Sequence, residues 1–351
     1  MTTGRLLRLL GSNRIRWTPN NALRILFLFQ SSLWSALFRF IEHQRFGKKI
    51  SAQDLPKDPV FIIGHWRTGT SFLFKLMSLD KAFVTPTLLQ VAEPDSLLVS
   101  GPYYRPLLNQ LVGRTRPMDS MAIGPDEPQE DEYAVFRLAG CSPLEKLVFP
   151  PEDKYFITEW IEDIQNGRET ESEFLAIAEF FRKVSMTGNG RLLSKNPFHS
   201  MRMERLIRDY PGSRFIRIHR NPLDTVPSTI NMWSILQKQN CLGRYAHLFT
   251  PEEICRGLNL VNRQIDCAAS ELPPSRYIEL RFEDLEIDPL GEIQKIYSQF
   301  GFSLEAETMK GMKSYLDSVS DFTKNTFVLS GNQKDLILSE MNEYMSKMSY
   351  C

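Results

Sequence analysis

The stretch Pro59-Val-Phe-Ile-Ile-Gly-His-Trp-Arg-Thr-Gly-Thr-Ser-Phe-Leu73 decides the fold. Val60 to Ile63 is a short apolar, β-branched run, the pattern of a strand buried on both faces. Ser71 to Leu79 then shows helical spacing through Phe72, Leu73, Leu76 and Leu79. Between them, Gly64 and Gly69 are spaced as in a Gly-x-x-x-x-Gly-Lys-Ser/Thr phosphate-binding loop, with Ser71 in the hydroxyl position and Thr70 in place of the lysine. Gly69 permits backbone angles that a Cβ would forbid, so successive N–H groups can point into the loop beside the positive end of the helix. Thr68, Thr70 and Ser71 add hydroxyl donors and Arg67 adds a cation. A phosphate-like group is therefore expected to sit on Arg67, Thr68, Gly69, Thr70 and Ser71. A plain glycine turn would share the glycine spacing, but it would not need an arginine and three hydroxyls in the same turn.

The segment from Ser213 through Arg214-Phe-Ile-Arg-Ile-His219 to Ser228 repeats the strand–turn–helix logic. Arg220 follows the strand, and Pro222 suits a first helical turn, where its missing N–H leaves nothing unsatisfied. An Arg at a strand end and a Ser eight residues later can close on one phosphate from two sides.

With these motifs the chain resembles the sulfotransferases that use 3′-phosphoadenosine 5′-phosphosulfate (PAPS), in their bacterial form and with features similar to the tyrosylprotein type. In that family the first loop holds the 5′-phosphosulfate, and an Arg and a Ser spaced as Arg220 and Ser228 hold the 3′-phosphate. Leu193-Ser-Lys-Asn-Pro-Phe198 is similar to the family's Lys-Asn/Asp-Pro segment. Arg281-Phe-Glu-Asp-Leu285 with Asp288-Pro289 is similar to its Tyr-Glu-Asp-Leu element, and Pro128-Gln-Glu-Asp-Glu-Tyr133 to a bacterial Pro-Gln-Glu-Asp-Glu run. Together these span residues 58 to 300. The resemblance implies that PAPS is the co-substrate, that the fold is the P-loop NTPase-like sulfotransferase fold, and that a late loop closes over the nucleotide, with Lys324 and Asn325 as its candidates. Where tyrosylprotein-type members carry a catalytic Glu, this chain reads Thr85-Pro-Thr-Leu-Leu-Gln90, without an acid.

Strand patterns at Val60–Ile63, Arg191–Leu193, Arg214–His219 and Tyr277–Leu280 alternate with helical patterns at Ser71–Leu79, Glu130–Leu138, Glu171–Val184, Met201–Tyr210, Leu223–Lys238, Glu252–Glu271, Gly291–Phe300 and Ala306–Leu316. That alternation predicts an α/β fold, a parallel central sheet flanked by helices. Ligands on such sheets bind at the strand C-terminal ends, which here carry Arg67, Lys195 and Arg220. Residues 80–150 are rich in Pro, Gly and Tyr, show no clear strand, and read as an insertion that shapes the acceptor pocket. Ser318–Asn332 is polar and reads as a loop. The expected organisation is a basic amphipathic helical segment over 1–50, packed on a single domain over 51–351.

Net charge is zero, so no global field draws the chain to nucleic acid. The balance is uneven: residues 1–50 hold nine Arg and Lys and one acid, Glu42. Within residues 20–42, Arg24, Ser31, Ser35, Arg39 and Glu42 share one helical face, while Leu26, Phe27, Leu33, Trp34, Leu37 and Phe40 fill much of the other. Two readings stand: a helix packed on the domain, or an interfacial helix on an anionic membrane. Five scattered cysteines (Cys141, Cys241, Cys255, Cys267 and Cys351), without any Cys-x-x-Cys pair, fit a reducing compartment such as the cytoplasm and argue against zinc.

Sulfuryl transfer is an in-line displacement through a loose transition state, and fixed cations can meet the charge that develops there. Arg67 and Lys195 are the expected transition-state cations, with no metal ligand among the candidates. The acceptor hydroxyl needs a base, for which Glu132, Glu130 and His65 compete. The acceptor itself is a small molecule or lipid; aromatic residues of the insertion (Phe83, Tyr103, Tyr104, Tyr133, Phe136, Phe149) suit an apolar one and would equally suit an ordinary core. Two other classes remain open from residues alone: a small-molecule or nucleotide kinase with a degenerate loop, and a non-catalytic membrane-associated binding protein on the same scaffold.

Overall fold

The computed structural model describes residues 1–113, 115–116, 121–150, 156–165, 171–244, 249–321 and 324–350. Cys351 and two residues of the expected late loop, 322 and 323, lie outside them. The chain divides into two compact units, one of Met1–Leu55, Pro86–Gly188 and Trp233–Leu248, the other of Pro56–Thr85, Asn189–Met232 and Phe249–Cys351.

The second unit is built on five parallel strands in the order β2-β3-β1-β4-β5: β1 Val60–Ile63, β2 Phe83–Val84, β3 Arg191–Lys195, β4 Arg214–His219 and β5 Tyr277–Arg281. The predicted α/β class with a parallel central sheet is observed. β1 is fully buried, as its unbroken apolar run requires, and lies between β3 and β4. Its register sets Ile62 beside Lys195 and Ile63 beside Arg217, so β1 ends one residue beyond β3 and β4 runs two residues further. Helices Thr70–Met77 and Pro289–Phe300 pack apolar faces on the sheet through Leu73, Phe74, Met77, Ile293, Ile296 and Phe300.

Residues 80–150 do contain a strand. Phe83 and Val84 form β2, pairing with Arg191 and Leu192, and Phe83 packs edge-on to Tyr297 and Phe302 in the core of the sheet. Gly190 permits this pairing, because a Cβ there would collide with the backbone of Ala82, Phe83 and Val84. Two residues of strand are too short to show a period, which hid them in the sequence. The helix expected from Glu130 begins at Glu132. Pro128 is bridged antiparallel to Thr87, and the Gln129 amide donates to the Pro86 carbonyl at 2.9 Å, so the acidic run enters the helix from an extended segment.

The first unit is helical. Thr3–Ser12, Pro19–Ala52, Gly101–Leu111 and, after the shorter Glu132–Ala139, Glu171–Ser185 are its longer elements with described faces. Leu9, Ile25, Phe149 and Leu242 form one of its cores, and Phe174, Ile177, Phe180 and Phe181 bury the face of the last helix. Helix Pro19–Ala52 is capped by the Thr18 hydroxyl, with Pro19 in its first turn. It turns Asn21, Ser32, Ser35 and Glu42 inward, with Ile25 and Phe38. By length and composition alone it is long and apolar enough to cross a membrane.

Candidate active site

The loop after β1 has the backbone that its sequence demands. Gly64 has φ +139° and Gly69 φ +99°. A Cβ at Gly64 would sit 2.5 Å from the Ile218 carbonyl oxygen, and one at Gly69 would collide with the Phe282 ring. Arg67 also lies in the left-handed region, at φ 68°, where a side chain raises the energy. Ser200 pins the loop from the turn after β3: its hydroxyl accepts from the Gly64 amide at 2.9 Å and donates to the Gly64 carbonyl at 3.1 Å. Thr68 closes it from within, donating to the His65 carbonyl at 2.7 Å. Helix Thr70–Met77 begins at once, and its first backbone bonds run from Phe72 and Leu73 back to Gly69. The Thr70 and Ser71 amides therefore belong to the first turn, where helix N–H groups have no intrahelical acceptor and suit an anion.

Two cations are brought to this loop. Arg67 Nε donates to the Ser228 hydroxyl at 2.9 Å, and Lys195 Nζ donates to the Ser71 hydroxyl at 3.1 Å. Lys195 is 2% exposed at the end of β3, and Ser228 is buried on helix Pro222–Asn240. Sequence spacing pairs Ser228 with Arg220; the fold also gives Ser228 to Arg67, which joins the two expected anion sites through one hydroxyl.

Arg220 leaves β4 and lays its guanidinium over the Phe282 ring at 4.6 Å, with Asp224 at 3.5 Å. Among the described residues its buried Nε has no hydrogen-bond partner. Lys324 lies 5.7 Å over the same ring and pairs with Glu286, while Asn325 is exposed. Phe282 thus meets the loop at Gly69, Arg220 and Lys324, a platform that sequence spacing did not single out. Tyr350 was missed as well. Its hydroxyl donates to Glu283 Oε2 at 3.0 Å and accepts from His219 Nδ1 at 2.9 Å, while Glu283 Oε1 accepts from the Asn221 amide at 3.0 Å. Helix Asn342–Lys347 carries this tail, and Tyr344 donates to the Arg220 carbonyl at 3.5 Å. The chain end therefore straps the turn that presents Arg220.

The three base candidates stand differently. His65 is buried, donates Nδ1–H to the Trp66 carbonyl at 3.0 Å, and keeps its lone pair on Nε2, which has no hydrogen-bond partner among the described residues. Burial pushes its pKa down to about 4, so the ring is neutral at neutral pH. Glu132 is fully buried in the helical unit and accepts from the Ser142 hydroxyl. Glu130 is half-buried on the extended segment that precedes the helix. Of the lesser histidines, His199 is sealed edge-on to Phe61, and His219 is engaged by Tyr350.

A glycine-bracketed loop at the C-terminal end of a central parallel strand, carrying its own arginine and met by a lysine from the neighbouring strand end, marks an α/β protein of the phosphate-loop kind. Comparison with known proteins narrows the class. Residues 59–306 match the model of the sulfotransferase family, and the chain belongs to that family. It is 28% identical over 306 residues, 87% of this chain and 78% of the other, to the omega-hydroxy-beta-dihydromenaquinone-9 sulfotransferase Stf3 of Mycobacterium bovis. Its fold is similar to that of sulfotransferase STF9 from Mycobacterium avium (TM-score 0.73, 18% identity, 94% of this chain and 86% of that one). It is also similar to that of STF1 from Mycobacterium tuberculosis (TM-score 0.66, 16% identity, 97% and 90%). The enzyme is a sulfotransferase, and the kinase and binding-protein readings fall away.

Proposed function

We propose that the enzyme transfers the sulfuryl group of PAPS to an acceptor hydroxyl by in-line displacement, with protein cations in place of a metal. The observation that carries this reading is that the loop's own Arg67 reaches the Ser228 hydroxyl while Lys195 reaches the loop hydroxyl of Ser71, with Arg220 at the adjoining strand end. Thr68, Gly69, Thr70 and Ser71 would hold the 5′-phosphosulfate, and Arg220 with Ser228 the 3′-phosphate. The Arg220 Nε, buried without a hydrogen-bond partner among the described residues, fits such a ligand. Lys324 and Asn325 would close over the nucleotide.

In the transfer, the bond from sulfur to the bridging phosphate oxygen breaks as the acceptor oxygen bonds to sulfur. Adenosine 3′,5′-bisphosphate leaves and the acceptor's proton passes to a base. Arg67 and Lys195 would meet the charge that gathers on the sulfuryl and leaving oxygens. Glu130 has the best support as base. Glu132 is sealed against Ser142, and burial makes His65 a weak proton acceptor.

We assign acceptor recognition to residues 80–150 within a single catalytic domain over 51–351, and the acceptor to a lipid or small molecule with a free hydroxyl. The relative from Mycobacterium bovis, named for a hydroxylated menaquinone, supports a lipid-like one. We also place the enzyme in the cytoplasm, touching the membrane peripherally through residues 20–42. The deciding experiment is transfer of labelled sulfate from PAPS into a lipid extract in the presence of a chelator. The expected result is a labelled lipid product, reduced at least ~100-fold by Glu130→Gln. A strict requirement for added divalent cation, or a loss confined to His65→Asn, would overturn the metal-free mechanism or the base assignment respectively.

A further inference from the structure

Helix Pro19–Ala52 is mounted inside out. Its polar stripe faces its own unit: Ser35 is fully buried and Glu42 is 1% exposed, whereas Leu23 is 67%, Leu33 64% and Phe40 62% exposed. The inward polar groups are individually satisfied. Ser35 donates to Glu93 Oε2 at 2.6 Å, Glu42 pairs with Lys183 at 2.9 Å and accepts from the Leu98 amide at 2.8 Å, and Asn21 donates to the Arg16 carbonyl at 2.8 Å. These directional bonds specify the rotation of the helix about its axis, and they leave Leu23, Leu26, Phe27, Leu33, Leu37 and Phe40 on one outward line with Trp34. The line runs about 25 Å. Tyr103, Leu107 and Leu111, exposed at four-residue spacing on helix Gly101–Leu111, widen it, and the Tyr103 ring packs tilted against Phe38 with centroids 4.9 Å apart.

We infer that this outward stripe is an insertion face for an anionic lipid bilayer, along which the helix lies flat. The inference deepens the peripheral contact proposed above and rests on that reading of a lipid acceptor. Charge selects the occupant. Exposed Arg8, Arg14 and Arg16 precede the stripe and exposed Arg45, Lys48 and Lys49 follow it, while Arg39 lies on the opposite face beside Asp95. Glu42, the single acid of residues 1–50, is turned inward and neutralised by Lys183. An apolar line with cations at both ends complements acyl chains beneath anionic headgroups. The same arrangement disfavours a second copy of this chain, since antiparallel or parallel pairing of two such stripes brings cationic ends together. Crossing the bilayer would require breaking the Ser35–Glu93 and Glu42–Lys183 contacts in hydrocarbon, whereas lying in the interface keeps both.

The test is flotation of the full chain with vesicles of phosphatidylcholine alone and of phosphatidylcholine with phosphatidylglycerol. The expected result is flotation on the anionic vesicles, weakened by added salt, and at least ~10-fold less binding for the doubly substituted Leu33→Asp, Leu37→Asp chain. Both positions are exposed, so the variant should keep the wild-type thermal shift with adenosine 3′,5′-bisphosphate. Absence of flotation, flotation undiminished in the variant, or a dimer in sedimentation that the variant abolishes would overturn the inference. Lost bisphosphate binding with intact flotation would instead count against the PAPS reading alone.

Discussion

Arg67 holds a backbone conformation that raises the energy of a side-chain-bearing residue by about 1–2 kcal/mol, and strain of this kind concentrates where geometry serves chemistry. The turn aims its guanidinium at Ser228, while Lys195 reaches Ser71 from β3. Neither residue builds the apolar core, so Arg67→Ala and Lys195→Ala should each fold normally and lower turnover at least ~100-fold. Steady-state rates beside a circular-dichroism melt check this; a wild-type-like rate in either variant would remove its role. The types of these residues were legible, because glycine spacing, hydroxyls and a strand-end lysine are local signals. Ser200, Phe282 and Tyr350 were not. Each acts on a partner more than 65 positions away or through backbone and ring contacts that no spacing rule encodes, such as Ser200 on Gly64 and Phe282 beneath Arg220.

At the level of elements, the Arg220 turn is held from two sides. Phe282 supports its guanidinium, and the terminal helix with Tyr350 ties Glu283, His219 and, through Glu283, the Asn221 amide. Tyr350→Phe removes the hydroxyl that joins the last two anchors. We expect Tyr350→Phe to weaken adenosine 3′,5′-bisphosphate several-fold with little effect on adenosine 5′-phosphosulfate, and Arg220→Ala to do the same more strongly, about 10- to 100-fold. Calorimetric titration of both ligands decides it; equal loss for both would place Arg220 outside the 3′-phosphate site. The four predicted strands emerged near their expected limits: β1 reads as an unbroken apolar run, and β3, β4 and β5 each keep short apolar or alternating patterns. β2 and the late start of helix Glu132–Ala139 did not, because pairing with Arg191–Leu192 and with Pro86–Thr87 overrides local propensity. The amphipathic pattern of residues 20–42 was visible, but not which face would turn inward.

At the scale of the whole molecule, two histidines are buried uncharged. Burial lowers the His65 pKa to about 4, and burial with Arg217 and Arg281 lowers that of His219 to about 3. Both lie below the ordinary value near 6.5, so the unfolded chain takes up protons that the folded chain refuses. Stability is therefore retained above pH ~6.5 and falls as the pH drops toward the folded values. The expected loss by pH 5 is about 1–2 kcal/mol per histidine, and His219→Asn should flatten part of the slope. Urea midpoints measured at pH 7 and 5 test this; a midpoint unchanged across that window would refute it. By itself the sequence determined the parallel α/β class, the glycine-bracketed loop and the cationic residues at strand ends, because these depend on periodicity, glycine and residue type within short windows. Only the tertiary structure decided that Ser228 meets Arg67, that the chain end straps the Arg220 turn, and that the N-terminal helix shows its apolar side outward. Those outcomes depend on which distant polar groups find partners once buried, and a buried polar group without one is costly enough to set the orientation of a whole helix.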